Sequence, residues 1–174
     1  NFGDFLNLFV DVKAGEYADK PIYVRAGRQE LIYGSQRLIS PLEWANTRRT
    51  FQGVKAFRQG EKWDFDAFWV QPVVPNATKL DSVDNNYNFA GTWATYKQNK
   101  TTSADFYYLM SDNASKITLS GLARAPFTIH TLGTRYAGSK DGFLWDLEYA
   151  AQLGTRGPEN VIAGMATTGV GYNW

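Results

Sequence analysis

Residues 143–153 read FLWDLEYAAQL. Alternate positions Phe143, Trp145, Leu147, Tyr149, Ala151 and Leu153 are apolar, whereas Leu144, Asp146, Glu148, Ala150 and Gln152 are largely polar and acidic. Side chains of a β-strand alternate between its faces, so the stretch predicts a strand with one wholly apolar side. The same parity governs 62–70, where Trp63, Phe65, Ala67 and Trp69 oppose Asp64, Asp66 and Phe68. Near the start, Leu6, Leu8, Val10 and Val12 oppose Asn7, Phe9, Asp11 and Lys13. After Pro21, Ile22, Val24 and Ala26 oppose Tyr23, Arg25, Gly27 and Gln29, and Val54 and Ala56 oppose Gly53, Lys55 and Phe57. Less regular strands are expected at about 87–97, 102–110, 127–137 and 161–172. The sum is about nine strands, most of them about ten residues long, whereas soluble strands are nearer five or six.

The connections sort by length. GEYADK (15–20), RQGEK (58–62), QNKT (98–101) and GSKDG (138–142) are short and polar, with Gly, Asn or Asp available for a turn. Between them come longer connections, Glu30–Arg49, Gln71–Asn86 and Ser111–Pro126, and then the shorter GTRGPEN (154–160). All six prolines (Pro21, Pro41, Pro72, Pro75, Pro126 and Pro158) fall at strand ends or in loops, where no ladder donor is lost. Long strands, one apolar parity, and short turns alternating with long loops form the pattern of an antiparallel up-and-down transmembrane β-barrel. Trp63, Trp69, Trp145 and Tyr149 on the apolar parity fit the aromatic girdles of such a barrel. A soluble β-barrel or sandwich binding carbohydrate on aromatic side chains would also alternate, with its apolar face turned inward.

The totals narrow the alternatives. A chain of 174 residues suits one domain, and 18 Lys+Arg against 17 Asp+Glu argue against a nucleic-acid partner. No Cys is present, so there is no disulfide framework, thiolate metal site or Cys nucleophile. Aromatic residues make up 16% of the chain, a composition that favours β structure. No apolar run approaches the roughly 18 residues of a membrane helix. The sequence starts at Asn1 without an initiator Met or signal peptide, which reads as either a processed chain or an excerpt of a longer one.

Enzymatic readings find little support. His130 is the one imidazole, its parity with Leu132 sets it toward the apolar face, and no nucleophile motif surrounds any Ser. The pairs Asp64/Asp66 and Asp146/Glu148 could mimic glycosidase carboxylates, which keeps a β-scaffold enzyme as a third reading. DSVDNN (81–86) faintly resembles a calcium loop without its spacing, and reads better as a turn. The Asn-x-Ser/Thr sites at Asn76, Asn99 and Asn113 also read as turn chemistry. No cofactor or metal is expected.

One stretch does not alternate. GRQELIYGSQRLISPLEWANTRRTFQG (27–53) holds Arg28, Arg37, Arg48 and Arg49, with Glu30 and Glu43 as its acids. A loop this long inside compact structure is uncommon and usually functional. It reads either as a cation-rich loop on a pore or binding face, or as a solvated loop whose arginines pair locally.

Residues 24–56, VRAGRQELIYGSQRLISPLEWANTRRTFQGVKA, resemble the signature of the alginate-export family of outer-membrane proteins. The matching segments are Gly27-Arg28-Gln29-Glu30-Leu31, Tyr33-Gly34, Gln36-Arg37-Leu38, Trp44 with Asn46-Thr47, and Arg49-Thr50-Phe51 with Gly53-Val54. HTLGTRYAG, His130 to Gly138, is similar to a further family segment. The resemblance implies an outer-membrane barrel of about 18 strands. It also implies passive passage of an anionic polysaccharide such as alginate, or of related sugar acids, through an electropositive conduit. Outer-membrane lipid and periplasmic export machinery are the implied partners. An open sheet with a lipid-facing surface and two free edges is not viable in a bilayer, so the chain is expected to be roughly the N-terminal half of the barrel.

If the apolar parity faces lipid, the other parity lines the pore. That face carries Asp11, Lys13, Tyr23, Arg25, Gln29, Lys55, Asp64, Asp66, Lys97, Asp146, Glu148 and Gln152. Arg135 joins them, since it shares a parity with Thr131 and Gly133. Arg25, Lys55 and Arg135, together with Arg28, Arg37, Arg48 and Arg49, are the candidates for a positive constriction. Rings of like charge select ions, and a guanidinium fork holds a carboxylate at two points. Alternatively Asp64, Asp66, Asp146 and Glu148 pair with these bases and brace the wall.

Overall fold

The computed structural model describes residues 4–45, 47–116 and 124–174. Asn46 of the loop signature and 117–123 of the Ser111–Pro126 connection lie outside the described residues. The strands are β1 (Leu8–Tyr17), β2 (Lys20–Gln29), β3 (Phe51–Gln59), β4 (Trp63–Val74), β5 (Ser82–Val83), β6 (Tyr87–Lys97), β7 (Thr102–Asn113), β8 (Phe127–Lys140), β9 (Phe143–Arg156) and β10 (Glu159–Tyr172). No helix occurs among the described residues. Every long strand pairs antiparallel with the next in sequence order, as expected of an up-and-down sheet, and β5 pairs only with the end of β4. β1 and β10 do not pair with each other, so the described sheet is open and has two bare edges.

Three local expectations change. β1 begins at Leu8 rather than Leu6 and runs on to Tyr17, which shrinks the first turn to Ala18–Asp19. Both turn residues have positive φ (50° and 56°), the type I′ geometry that matches the twist of the flanking strands. The GTRGPEN connection is a tight turn at Gly157-Pro158, because β9 and β10 stay paired out to Arg156 and Glu159. The long-loop end of the sheet therefore closes its last hairpin with a short turn. β5 is the third change: at two residues it is too short for alternation to show. Asn76, Asn99 and Asn113 each accept a backbone N–H two residues on, at 3.0, 2.9 and 2.9 Å, the turn chemistry expected of them. In the DSVDNN run, Asp84 accepts from the Asn86 N–H at 3.1 Å, again a turn.

Register decides which side chains share a face. Ala56, Ala67, Thr92, Tyr108, Leu132 and Ala151 lie opposite one another in a row across β3 to β9. Their face is apolar and open: Val54, Phe65, Trp69, Phe106, Leu132, Tyr149 and Leu153 are all between 44% and 67% exposed. Toward the turn end, rings crowd this face. Trp63 packs on Phe65, Tyr96 and Phe106 at 5.6, 5.0 and 6.3 Å, and Phe143 meets Tyr172 edge-on at 4.9 Å. His130 also lies on this face, hydrogen-bonded through Nδ1 to the Tyr108 hydroxyl at 2.6 Å.

The hydrophobic core sits on the other face, the one that carries most of the charge. There the β2–β3 connection folds back over the sheet. Leu31 and Ile39 of this loop pack against Phe51, Phe68, Val70, Phe89, Trp93, Tyr107, Leu109 and Ala150. Leu31 and Ile39 are 1% and 2% exposed, and each such burial contributes about 1.5–3 kcal/mol toward holding the loop down.

Candidate functional site

The site forms where the inward loop meets the charged face of β3 to β9. The loop is clamped at its base. Arg48 pairs with Glu30 at 2.6 Å and with Glu43 at 3.0 Å, and Glu30 exchanges two hydrogen bonds with the Asn7 side chain. The Arg49 N–H donates to the Pro41 carbonyl at 2.7 Å, and Thr50 accepts from Val73 N–H at 3.0 Å, which locks the re-entry into β3.

Aromatic stacking carries the loop inward. Tyr33 stacks on Phe68 at 5.6 Å and on Trp93 at 5.0 Å, and Trp93 stacks on Tyr107 at 4.3 Å with planes 7° apart. Such pairs add about 0.5–1.5 kcal/mol each beyond area burial. Two glycines make the ladder possible. Gly34, at φ 55°, turns the loop where a Cβ would come within 3.2 Å of Trp93. A Cβ at Gly133 would overlap the Tyr107 ring, so β8 is bare where that ring lies. The Tyr33 hydroxyl donates to Asp66 at 2.6 Å; burial, reinforced by that carboxylate, pushes its ionisation well above the usual phenol range.

Past Tyr33 the loop tip joins a network of acids and guanidinium groups. Arg37 donates through Nη1 to Glu148 at 2.8 Å and to Asp146 at 3.1 Å. These hydrogen bonds, Glu148 first, raise the Arg37 pKa further, so it stays charged at any physiological pH. Ser35 donates to Glu148 at 3.3 Å and Tyr107 to the other Glu148 oxygen at 2.9 Å. Arg135 holds Asp146 at two points, 3.0 and 2.9 Å, and reaches Asp105 at 3.3 Å, which also accepts from Thr95 at 2.7 Å. Glu148 is only 5% exposed, yet each of its oxygens has a partner, which a buried carboxylate requires.

The other sequence candidates separate from this cluster. Lys55 pairs with Asp66 at 2.9 Å, Lys97 with Asp64 at 2.7 Å, and Arg25 holds Asp11 at two points while lying over the Phe9 ring. Arg28 binds Asp4 at 2.9 Å and the backbone carbonyls of Phe5 and Asp81. Gln29 is fully buried and its amide has no partner among the described residues. Arg49 is exposed and makes no ion pair among the described residues. Arg25, Lys55 and Arg135 each have an acid beside them, which is the bracing arrangement that charge counting left open.

The sequence reading missed Tyr33, Ser35, Thr95, Asp105 and Tyr107. Asp105 and Tyr107 share a parity with Leu109, so inward placement was recoverable once β7 was aligned. Tyr33 and Ser35 sit in aperiodic sequence and carried no such signal.

An antiparallel meander with an exposed apolar outer face, crowded rings at one end and an ion-paired loop on its inner face defines a class: the wall of an outer-membrane type of β-barrel. The chain belongs to the alginate export family, whose profile matches residues 1–174. This is a transport family, not an enzyme family. Neither the curated proteins nor the solved structures gave a match.

Proposed function

We propose that the chain is one wall of a single outer-membrane barrel domain, through which an anionic polysaccharide of the alginate class, or related sugar acids, diffuses passively. Bare edges on β1 and β10 beside a lipid-compatible face support closure by further strands, since an open sheet leaves unpaired backbone groups in the bilayer. In this reading the 30–50 loop narrows the passage, and the charged face with Arg25, Arg28, Arg48, Lys55, Asp64, Asp66 and the Arg37 cluster lines it.

The carrying observation is Arg37. Its guanidinium bridges Asp146 and Glu148 while its side chain stays 30% exposed, so it anchors the loop and still offers a cationic surface to a passing carboxylate. Arg135 stands behind it and orients Asp146. Passage rather than tight binding suits such paired cations, because a solute must leave as readily as it enters.

Planar-bilayer recordings of the full-length protein test this. Arg37→Glu, Arg135→Glu and Arg25→Glu are each expected to shift the reversal potential away from anions, Arg37→Glu most. Unchanged reversal potentials in all three would remove these residues from the constriction.

A further inference from the structure

At the long-loop end of the sheet, beside the inward loop, lies a cavity of about 390 Å³. This is within the roughly 300–1,000 Å³ range of small-molecule sites. Leu38 and Ile39 of the loop, Phe51 of β3 and Phe89 of β6 give it an apolar lining. Arg49 and Arg124 also line it, against one carboxylate, Asp84.

The charges are not equivalent. Asp84 is committed to its own turn, where its side chain accepts from Asn86 N–H at 3.1 Å and its carbonyl from Tyr87 N–H at 3.1 Å. The Arg124 guanidinium stands 5.0 Å over the Phe127 ring. Arg49 differs from its loop neighbours. Arg28, Arg37 and Arg48 each hold an acid, whereas Arg49 holds none among the described residues. Its backbone is nonetheless pinned on both sides, by its own bond to Pro41 and by the Thr50–Val73 bond. A guanidinium on a fixed backbone, beside aromatic and aliphatic side chains and without an acid, is prepared for a ligand's anion.

We propose that this cavity binds a small monocarboxylate with a compact apolar body, such as an aryl carboxylate. The carboxylate lies on Arg49, and the body lies among Leu38, Phe51 and Phe89. A sugar acid of similar size fits less well, because its several hydroxyl groups would lose water against Leu38, Ile39, Phe51 and Phe89, and the two neutral polar side chains of the lining, Tyr87 and Ser111, already bond each other at 3.4 Å. The site stands to one side of the Arg37 cluster and does not depend on which solute crosses the barrel.

Benzoate titrated into the full-length protein in detergent micelles, followed by calorimetry and saturation-transfer NMR, tests the site. Saturable binding is expected, weakened at least tenfold by Arg49→Gln and unchanged by Arg58→Gln at the turn end. Arg49→Lys, which keeps the charge but loses the fork, falls between. Benzyl alcohol and glucuronate are each expected to bind at least tenfold more weakly than benzoate. Heat-dependent gel mobility identifies the folded variants, and Arg49→Lys carries the test if Arg49→Gln does not fold. Absent benzoate binding, equal binding in the parent and both Arg49 variants, or glucuronate bound as tightly as benzoate overturns the proposal.

Discussion

Trp69 and Val70 are neighbours on β4, yet the tryptophan is 50% exposed and the valine 0%. On β9 the contrast is sharper: Leu147 is 40% exposed and Glu148, beside it, 5%. A soluble protein would bury the leucine and leave the glutamate in water. The two faces of this sheet therefore answer to different surroundings. The outer one keeps large apolar groups bare, as the lipid contact proposed for it would permit. The inner one buries polar groups, because a loop covers them and supplies their hydrogen bonds. The polarity of a face is thus a poor guide to its burial here; what covers the face decides.

The comparison can be broken at several points. The largest effect is expected for Leu132→Arg on the outer face, which should lower unfolding stability in lipid vesicles by about 2–4 kcal/mol if it meets the middle of the bilayer. Gln152→Arg, on the opposite face of the neighbouring strand, should cost under about 1 kcal/mol. Equal losses in urea titrations of the two variants would end the distinction between the faces. Next comes Gly133→Ala, whose methyl displaces the Tyr107 ring from the inner wall; about 1–3 kcal/mol is expected, as for other overpacked sites. Tyr107→Ala should cost less in this background than in the parent, read as a shift in thermal midpoint, because the crowding is gone; the double variant still melts below the parent, since the Trp93 stack and the Glu148 hydrogen bond are lost.

The remaining two probe the loop alone. Arg37→Ala removes the tie to Asp146 and Glu148, so single-channel conductance should rise and residues 30–50 should become accessible to protease, with the barrel still heat-modifiable. Conductance and cleavage matching the parent would mean that stacking holds the loop without Arg37. Tyr33→Phe keeps the stack and loses only the 2.6 Å bond to Asp66. It should cost about 0.5–1.5 kcal/mol and leave conductance nearly unchanged.

Much of the fold was legible because strand parity is local. Phe143 to Leu153 states its two faces in consecutive residues, and the short polar turns mark where the chain reverses. The strand boundaries were less so: Gly15 to Tyr17 and Gly154 to Arg156 have turn-like composition, but pairing with a partner strand keeps them extended. The family signature at 24–56 was legible too, and the profile match over residues 1–174 agrees with it. The charges on the inner parity were identified, but not their partners. Arg135 and Glu148 face each other in register, yet Arg135 turns to Asp146 and Asp105, and Glu148 is taken by Tyr107 and the loop.

By itself, then, the sequence determined an antiparallel sheet of long strands with one apolar face, because that pattern repeats every two residues and needs no distant partner. It also marked the 27–53 stretch as the part that departs from the pattern. Only the tertiary structure decided that this stretch folds onto the charged face, because nothing periodic encodes contacts as remote as Ser35 with Glu148 and Arg37 with Asp146. Those contacts turn four similar arginines into three held in ion pairs and one, Arg49, left beside a cavity.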